Sequence, residues 1–392
     1  MEPKKIKDGV FWAGAVDWDR RLFDSLIPLP DGTSYNAYIV KGSQKTALID
    51  TVDPSKSPVL LDELKGVEKI DYVISQHSEQ DHSGTLPEVL KRYPDARLLT
   101  SPKGREFLGD LLGIAGDKIT AVSDGETLDL GGKTLEFLHT PWVHWPETIS
   151  TYLKEDRILF SCDLFGSHLA SASLYVDDYE KVCEASKRYY AEVMMPFRAT
   201  IKKHMERFGK FPIEIIAPSH GPLHKDPECI MKSHAEWISE KLSNKVILPY
   251  ATMHGSTEAM VDFLTESLVK NGVGVEKFNL AVTDLGKLAM SLVDAPTIVF
   301  GSPTVLIGAH PAVIHAAFMV NALRPKLKFA SIIGSYGWGG KMAEQVASTM
   351  SGLKAEMLEN VLVKGRPKEA DFAAIERLAL AITARHRENN IS

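Results

Sequence analysis

After Asn244 the chain settles into a strict alternation of apolar strand patterns and amphipathic helix patterns, and nothing else narrows its fold as much. The pairs run KVILPY then TEAMVDFLTESLVKNG, VGVEKFNL then DLGKLAMSLV, PTIVFGSP then PAVIHAAFMVNAL, KFASIIGSY then KMAEQVASTM, and AEMLENVLV then ADFAAIERLALAITARHRE. A helix between two strands carries the chain back to the starting edge, so the strands must lie parallel. Five such units predict a doubly wound, five-stranded parallel sheet.

Before that point the rhythm differs. Short strands dominate to about Ile230: GVFWAGAV, SYNAYIVKG, KTALID, DYVISQ, ARLLTS, and hairpin-like patterns in TLDLGGKTLEFLHT and STYLKEDRILFSC. Helical stretches are interleaved, notably LPEVLKRY and the long DDYEKVCEASKRYYAEVMMPFRATIKKHMERF. A chain of 392 residues exceeds what one core usually organises. The polar stretch from Trp237 to Asn244 is the expected boundary, giving domains 1–244 and 245–392.

Charge narrows the partners. A formal net charge of −6 argues against a general nucleic-acid or anionic-membrane binder, which needs excess Lys and Arg to neutralise phosphates. No apolar run reaches transmembrane length, and the opening MEPKKIKDGVFWAGAVDWD lacks a secretory pattern, so a cytoplasmic location is expected. The three cysteines, Cys162, Cys183 and Cys229, lack CxxC spacing, which disfavours a disulfide framework, a rubredoxin-type iron site or an iron–sulfur cluster. Cys162 beside Asp163 reads as a small buried residue.

The chemistry concentrates in ISQHSEQDHSG, from Ile74 to Gly84. If the chain stays extended past the strand, His77 and Glu79 point the same way and could grip one ion. The following turn could aim Asp81 at a second. His144 in PWVHWPE, Asp163 closing ILFSCD and His220 in IIAPSHGP sit at other strand ends and could complete the cluster. Ordinary alternatives exist: Asp81 could cap a helix beginning near Gly84 or Thr85, and His144 could be a hydrogen-bonded loop residue.

Taken together, His77, Glu79, Asp81, His82, His144, Asp163 and His220 resemble the binuclear site of the metallo-β-lactamase fold, an αββα sandwich. Glu79 departs from the HxHxDH form of the zinc hydrolases, and that replacement looks like the flavodiiron proteins, or A-type flavoproteins. The resemblance implies that His77, Glu79 and His144 hold one iron, Asp81 and His220 the other, and Asp163 bridges them, with His82 an outer or optional ligand. Exchanging imidazole for carboxylate adds charge and a hard oxygen donor, which suits redox-active iron. His220 is preferred over His224 by its SerHisGly context, and His139 and His168 are expected to be supporting or structural groups.

The second half carries its own site. Strand KVILPY runs into Thr252, Met253, His254, Gly255, Ser256 and Thr257, where a helix begins; free N–H groups, hydroxyls and the helix dipole suit a phosphate monoester. The loop lacks the lysine of a triphosphate P-loop and the GxGxxG spacing of a dinucleotide site. Ser302, Pro303 and Thr304 end the third strand. Ser335, Tyr336, Gly337, Trp338, Gly339 and Gly340 follow the fourth, at the edge where such sheets bind ligands. The half resembles flavodoxin, with these loops holding FMN.

The combined resemblance implies an FMN- and diiron-dependent enzyme that reduces dioxygen to water, nitric oxide to nitrous oxide, or both. It also implies a head-to-tail homodimer, open to further pairing as a dimer of dimers, in which one subunit's FMN faces the other's irons. The resemblance ends without a rubredoxin or flavin-reductase extension, so the electron donor is expected to be separate, a rubredoxin-like protein or a reduced deazaflavin. Two other readings stay open: a zinc hydrolase with an appended flavodoxin, and a non-catalytic FMN electron carrier.

Overall fold

Each short strand of the first half has one face that must leave water, and the strands meet that need by stacking as two sheets. In the computed structural model, which describes residues 2–391, one sheet has seven strands in the order Lys4–Lys7, Val10–Trp12, Tyr38–Lys41, Thr46–Ile49, Tyr72–Ile74, Arg97–Thr100 and Ile119–Ala121. The other has five: Thr127–Asp129, Thr134–His139, Ile149–Leu153, Ile158–Cys162 and Ile215–Pro218. Val40, Ile49, Ile74, Phe137 and Phe160 are buried in one cluster that joins both sheets. Leu48, Val73 and Leu98 instead pack with Leu60, Val89 and Leu108 of the helices Ser57–Glu63, Leu86–Arg92 and Pro102–Leu112. Alternate residues of one strand thus serve different layers, as the two-residue period requires. Helices Tyr179–Tyr189, Arg198–Phe208 and Pro227–Ile238 complete the αββα sandwich.

The long helical pattern ending at Phe208 is broken. Helix Tyr179–Tyr189 loosens into a π-turn at Tyr190–Met194 and tightens into a 3-10 turn at Met195–Phe197 before Arg198–Phe208 resumes. Pro196 accounts for the break, since its ring crowds the preceding turn and it has no N–H to donate.

The second unit has five parallel strand positions in the order Gly274–Asn279, Lys245–Tyr250, Thr297–Val305, Phe329–Tyr336, and a fifth made of Glu356–Met357 and Val361–Lys364. This is the flavodoxin-like order 2-1-3-4-5. The fifth strand is interrupted, and Asn360 bridges the gap by accepting the Ile332 N–H through Oδ1 (2.9 Å). The third strand runs past its expected end and folds back as a hairpin with Gly308–Ala309.

The chain divides into Met1–Tyr189 with Phe197–Ile238, and Tyr190–Pro196 with Ser239–Ser392. The division falls after Ile238 rather than after Asn244. Hydrogen bonds explain the shift: Lys326 Nζ donates to the carbonyls of Ser239 (2.6 Å) and Lys241 (3.0 Å), and the Ser243 N–H donates to the Asp294 carbonyl (2.9 Å). A polar stretch that reads as a linker is thus held by the second unit. Residues 190–196, expected in the first domain, lie beside helices Leu285–Leu292 and Pro311–Leu323. Among the described residues, no helix is long and apolar enough to cross a membrane.

Phe160 is fully buried between the sheets and lies 4.9 Å from the Tyr38 ring. Phe160→Ala is expected to destabilise the first unit by about 3–5 kcal/mol. Hydrogen exchange should accelerate across the strands of that unit and stay unchanged in the parallel sheet of the second.

Candidate metal centre and flavin loops

Strand Tyr72–Ile74 runs parallel to both its neighbours, and Ile158–Cys162 runs parallel to Ile215–Pro218. The residues following these strands can therefore gather at the carboxyl ends of the sheets. Glu79 is extended (φ −61°, ψ 142°), and the single helical turn Gln80–Ser83 follows it. The His77 and Glu79 side chains converge, with Nε2 3.1 Å from Oε2. Asp81 does not cap a helix: it lies inside the turn, and both of its buried oxygens lack a hydrogen-bond partner.

Two groups of donor atoms result. In the first, Glu79 Oε2 lies 3.1 Å from both His77 Nε2 and His144 Nε2, and Asp163 Oδ2 lies 3.7 Å from each of those nitrogens. In the second, His82 Nε2 is 3.2 Å and His220 Nε2 3.4 Å from Asp163 Oδ1, while Asp81 Oδ1 is 3.4 Å from His82 and Oδ2 is 3.2 Å from His220. Asp163 faces each group with one oxygen. All six residues expected at the site are brought together, and His82 joins them as a full member of the second group. In the sequence it closes the HxExDH string beside Asp81, where the resemblance implied an outer or optional ligand.

The arrangement fits two metal ions. Donors bound to one ion at about 2.1 Å stand roughly 3.0–3.4 Å apart, close to the spacings seen. Both oxygens of Asp163 and of Asp81 are buried without a hydrogen bond, although imidazole nitrogens lie near. Atoms aimed at a shared centre, and not at each other, have this geometry. The mix of imidazole and carboxylate donors suits iron.

Electrostatics within the cluster outweigh burial. Burial pulls the His77 imidazolium down, but hydrogen bonds to Glu147 and Glu79 and the charge of Asp163 raise it well above its ordinary value. His220 is pushed up to about 10: burial lowers it, and Asp163 and Asp81 more than compensate. Burial raises Asp163, yet His82, His220 and His77 hold it well below the usual carboxylate range. With no ion bound, protons on the imidazoles supply the positive charge that the buried carboxylates require.

Several supporting residues escaped sequence reasoning. Glu147 Oε1 accepts from the Ser78 N–H (3.0 Å) and pairs with His77 Nδ1 (2.7 Å). The Ser34 carbonyl takes His220 Nδ1 at 2.7 Å. Asp50 accepts from the Gln76 N–H (2.7 Å) and side-chain amide (2.9 Å), pinning the segment that leads into His77. Asp24, at a hairpin tip with φ +49°, is pushed up to about 6 by burial and by the charge of Glu79. Each acts across a long sequence separation, so only the Glu147 position, inside PWVHWPE, offered a local hint. Away from the cluster, His224 points its Nε2 at the Phe165 carbonyl (3.2 Å) and His139 at the Val122 carbonyl (3.0 Å).

The residues expected at the flavin all lie at the carboxyl edge of the second unit's sheet. Thr252, Met253, His254 and Gly255 link strand Lys245–Tyr250 to helix Ser256–Lys270. Gly255 takes φ +81° and no side chain caps the helix, so its first N–H groups lack a side-chain acceptor; half-buried Ser256 and buried Thr257 open it. That chemistry fits a phosphate. Ser302, Pro303 and Thr304 lie within strand Thr297–Val305. Ser335 and Tyr336 end Phe329–Tyr336, and Gly337, Trp338, Gly339 and Gly340 lead to helix Met342–Thr349. Thr257 Oγ1 and Ser335 Oγ are 3.4 Å apart, joining the first and third loops. Gly334 serves the sheet: a Cβ there would stand 2.1 Å from the Ser302 carbonyl oxygen. Trp338 is 80% and Met253 53% exposed, leaving flat apolar surface beside the loops.

Comparison with known proteins agrees in extent. The family described as ODP family beta lactamase matches residues 33–221. The chain is 33% identical to the nitric oxide reductase of Moorella thermoacetica over 98% of its own length and 99% of the relative's. It is 32% identical to the coenzyme F420H(2) oxidase of Methanothermobacter marburgensis, over 97% of this chain and 98% of that one. The solved rubredoxin oxygen:oxidoreductase from the anaerobe Desulfovibrio gigas is similar over 100% of both chains, with a TM-score of 0.95 and 29% identity.

An ion entering the second group must expel the His220 proton, which the ion-free protein keeps up to about pH 10. Metal affinity should therefore rise with pH and fall on acidification, by about tenfold per pH unit for each proton displaced. Anaerobic ferrous titrations at several pH values, with proton release followed in weak buffer, check the slope; a flat profile contradicts the proposed set.

Proposed function

Because the chain belongs to the flavodiiron proteins, also called type A flavoproteins, we propose that its first unit holds two irons on the donor cluster and its second holds FMN. It is an oxidoreductase that reduces dioxygen, nitric oxide or both, using a flavin and non-haem iron. His77, Glu79 and His144 hold one iron, Asp81, His82 and His220 the other, and Asp163 joins them. The observation that carries this reading is the placement of Asp163, whose two oxygens face two separate donor groups.

Iron supplies gas binding and electron exchange, and FMN supplies electrons singly or in pairs. The protein's own residues do the rest. Glu147 and the Ser34 carbonyl hold Nδ1 of His77 and His220, leaving each Nε2 to face the metal. Burial excludes water from His77, Asp163 and His220, which strengthens every charge contact in the cluster. The loops at Thr252–Thr257, Ser302–Thr304 and Ser335–Gly340 hold the FMN phosphate and ring.

Electrons come from a separate donor, a rubredoxin-like protein or a reduced deazaflavin; relatives are named for rubredoxin and for coenzyme F420H(2). The working form is a head-to-tail homodimer in which flavin and irons of different subunits meet. Apolar groups exposed near the flavin loops (Met253, Leu306, Ile307 and Trp338) and on the first unit (Trp18, Leu26 and Trp142) support such an association.

Metal analysis of anaerobically prepared protein, followed by stopped-flow with each gas, tests the reading. Iron with flavin-dependent gas consumption is expected; zinc with ester or amide hydrolysis would overturn it. Asp163→Asn should lose about half or more of the iron and most turnover. Glu79→His, which exchanges oxygen for nitrogen, should shift the metal content toward zinc while FMN stays bound.

A further inference from the structure

Four of the seven donors proposed to hold metal, His77, Glu79, Asp81 and His82, sit on one short loop. The regular structure of that loop is the four-residue turn Gln80–Ser83, too short to keep its shape unaided. The neighbouring strand supplies the support. Strands Thr46–Ile49 and Tyr72–Ile74 run parallel and end level, with Ile49 opposite Ile74. One further bond follows, from the Asp50 N–H to the Ile74 carbonyl (2.8 Å), and there the chain turns. Buried Asp50 takes φ +55°, in the left-handed region that Asp tolerates better than most residues.

The turn sets two consecutive residues against the two ends of the loop. Asp50 takes the entrance, accepting from the Gln76 N–H and side-chain amide. Thr51 takes the exit: its N–H (2.8 Å) and its hydroxyl (2.6 Å) both donate to the His82 carbonyl. A carbonyl can only accept, so both roles are fixed. Thr51 is buried, and the last carbonyls of a helical turn have no intrahelical N–H to meet. The two donor groups are therefore supported from different places. Glu147 and, through Gln76, Asp50 hold His77 in the first group, whereas His82 in the second is anchored by Thr51.

We propose that Thr51 is a positioning residue for the second ion: its hydroxyl fixes the His82 backbone, and so keeps Nε2 beside Asp81, His220 and Asp163, without serving the first group. The proposal rests on the reading above that Asp81, His82 and His220 hold one ion. Metal bonds are short, so a ligand whose backbone can drift loses affinity at its own ion first. The hydroxyl thus decides how evenly the two positions fill.

Anaerobic ferrous titration of the whole protein, with iron counted per chain, tests this. Wild type should bind two irons. Thr51→Val keeps the shape and the N–H bond but drops the hydroxyl. It should fold, hold FMN and fill one position as before, while binding at the other weakens about tenfold. Thr51→Ala removes the same hydroxyl without setting a methyl against the carbonyl, and should behave alike. Thr51→Ser, which restores the donor, should regain the second iron. Two irons held at wild-type affinity in Val and Ala, equal weakening of both positions, or no recovery in Ser would each overturn the proposal. Wild-type protein that takes two zinc ions and no iron would instead count against the functional reading, and the same titrations made with zinc would still decide the role of Thr51.

Discussion

Burying Glu79, Asp81 and Asp163 beside one another is the constraint on which the first unit depends. An unpaired buried carboxylate costs several kcal/mol, so the cluster must be neutralised by cations at close range. Four imidazoles surround it, and with protons or with metal ions they meet that demand. The backbone must then deliver seven side chains from separate strand ends to within hydrogen-bond range of each other. Parallel pairing achieves this, because strands Tyr72–Ile74, Ile158–Cys162 and Ile215–Pro218 each release the chain at a carboxyl end.

Precision comes from buried polar contacts behind the cluster. Asp50 takes both the backbone and the side chain of Gln76, so the segment entering His77 has one course. Glu147 holds both Ser78 and His77, reaching Ser78 across 69 residues of chain. Asn36 donates from its amide to the carbonyls of Pro218 and Gly221, both at 2.8 Å, and thereby clamps the loop carrying His220. In a low-dielectric interior each such bond is hard to break without leaving a buried polar atom unpaired.

The loops proposed to hold the flavin follow the opposite strategy. They offer backbone N–H groups, hydroxyls and exposed rings, and among the described residues they carry no buried charge cluster of the first unit's kind. A large anionic cofactor needs an open edge and a partial positive charge, which the uncapped start of helix Ser256–Lys270 supplies. An ion needs enclosure and full charges, which only a buried side-chain cluster can give.

By itself the sequence determined the element order of both units, because strand and helix periodicity are local properties. It also determined the spacing that turns His77 toward Glu79, and the substitution of Glu79 for an imidazole, from which the choice of iron over zinc is argued. Only the tertiary structure decided that His82 stands with Asp81 and His220, that Glu147 and Asp50 support His77, and that residues 190–196 and 239–244 belong with the second unit. A side chain's partner tens of residues away depends on strand register, on which face a turn presents, and on which buried polar atom would otherwise go unpaired. None of these is written in any short stretch of the chain.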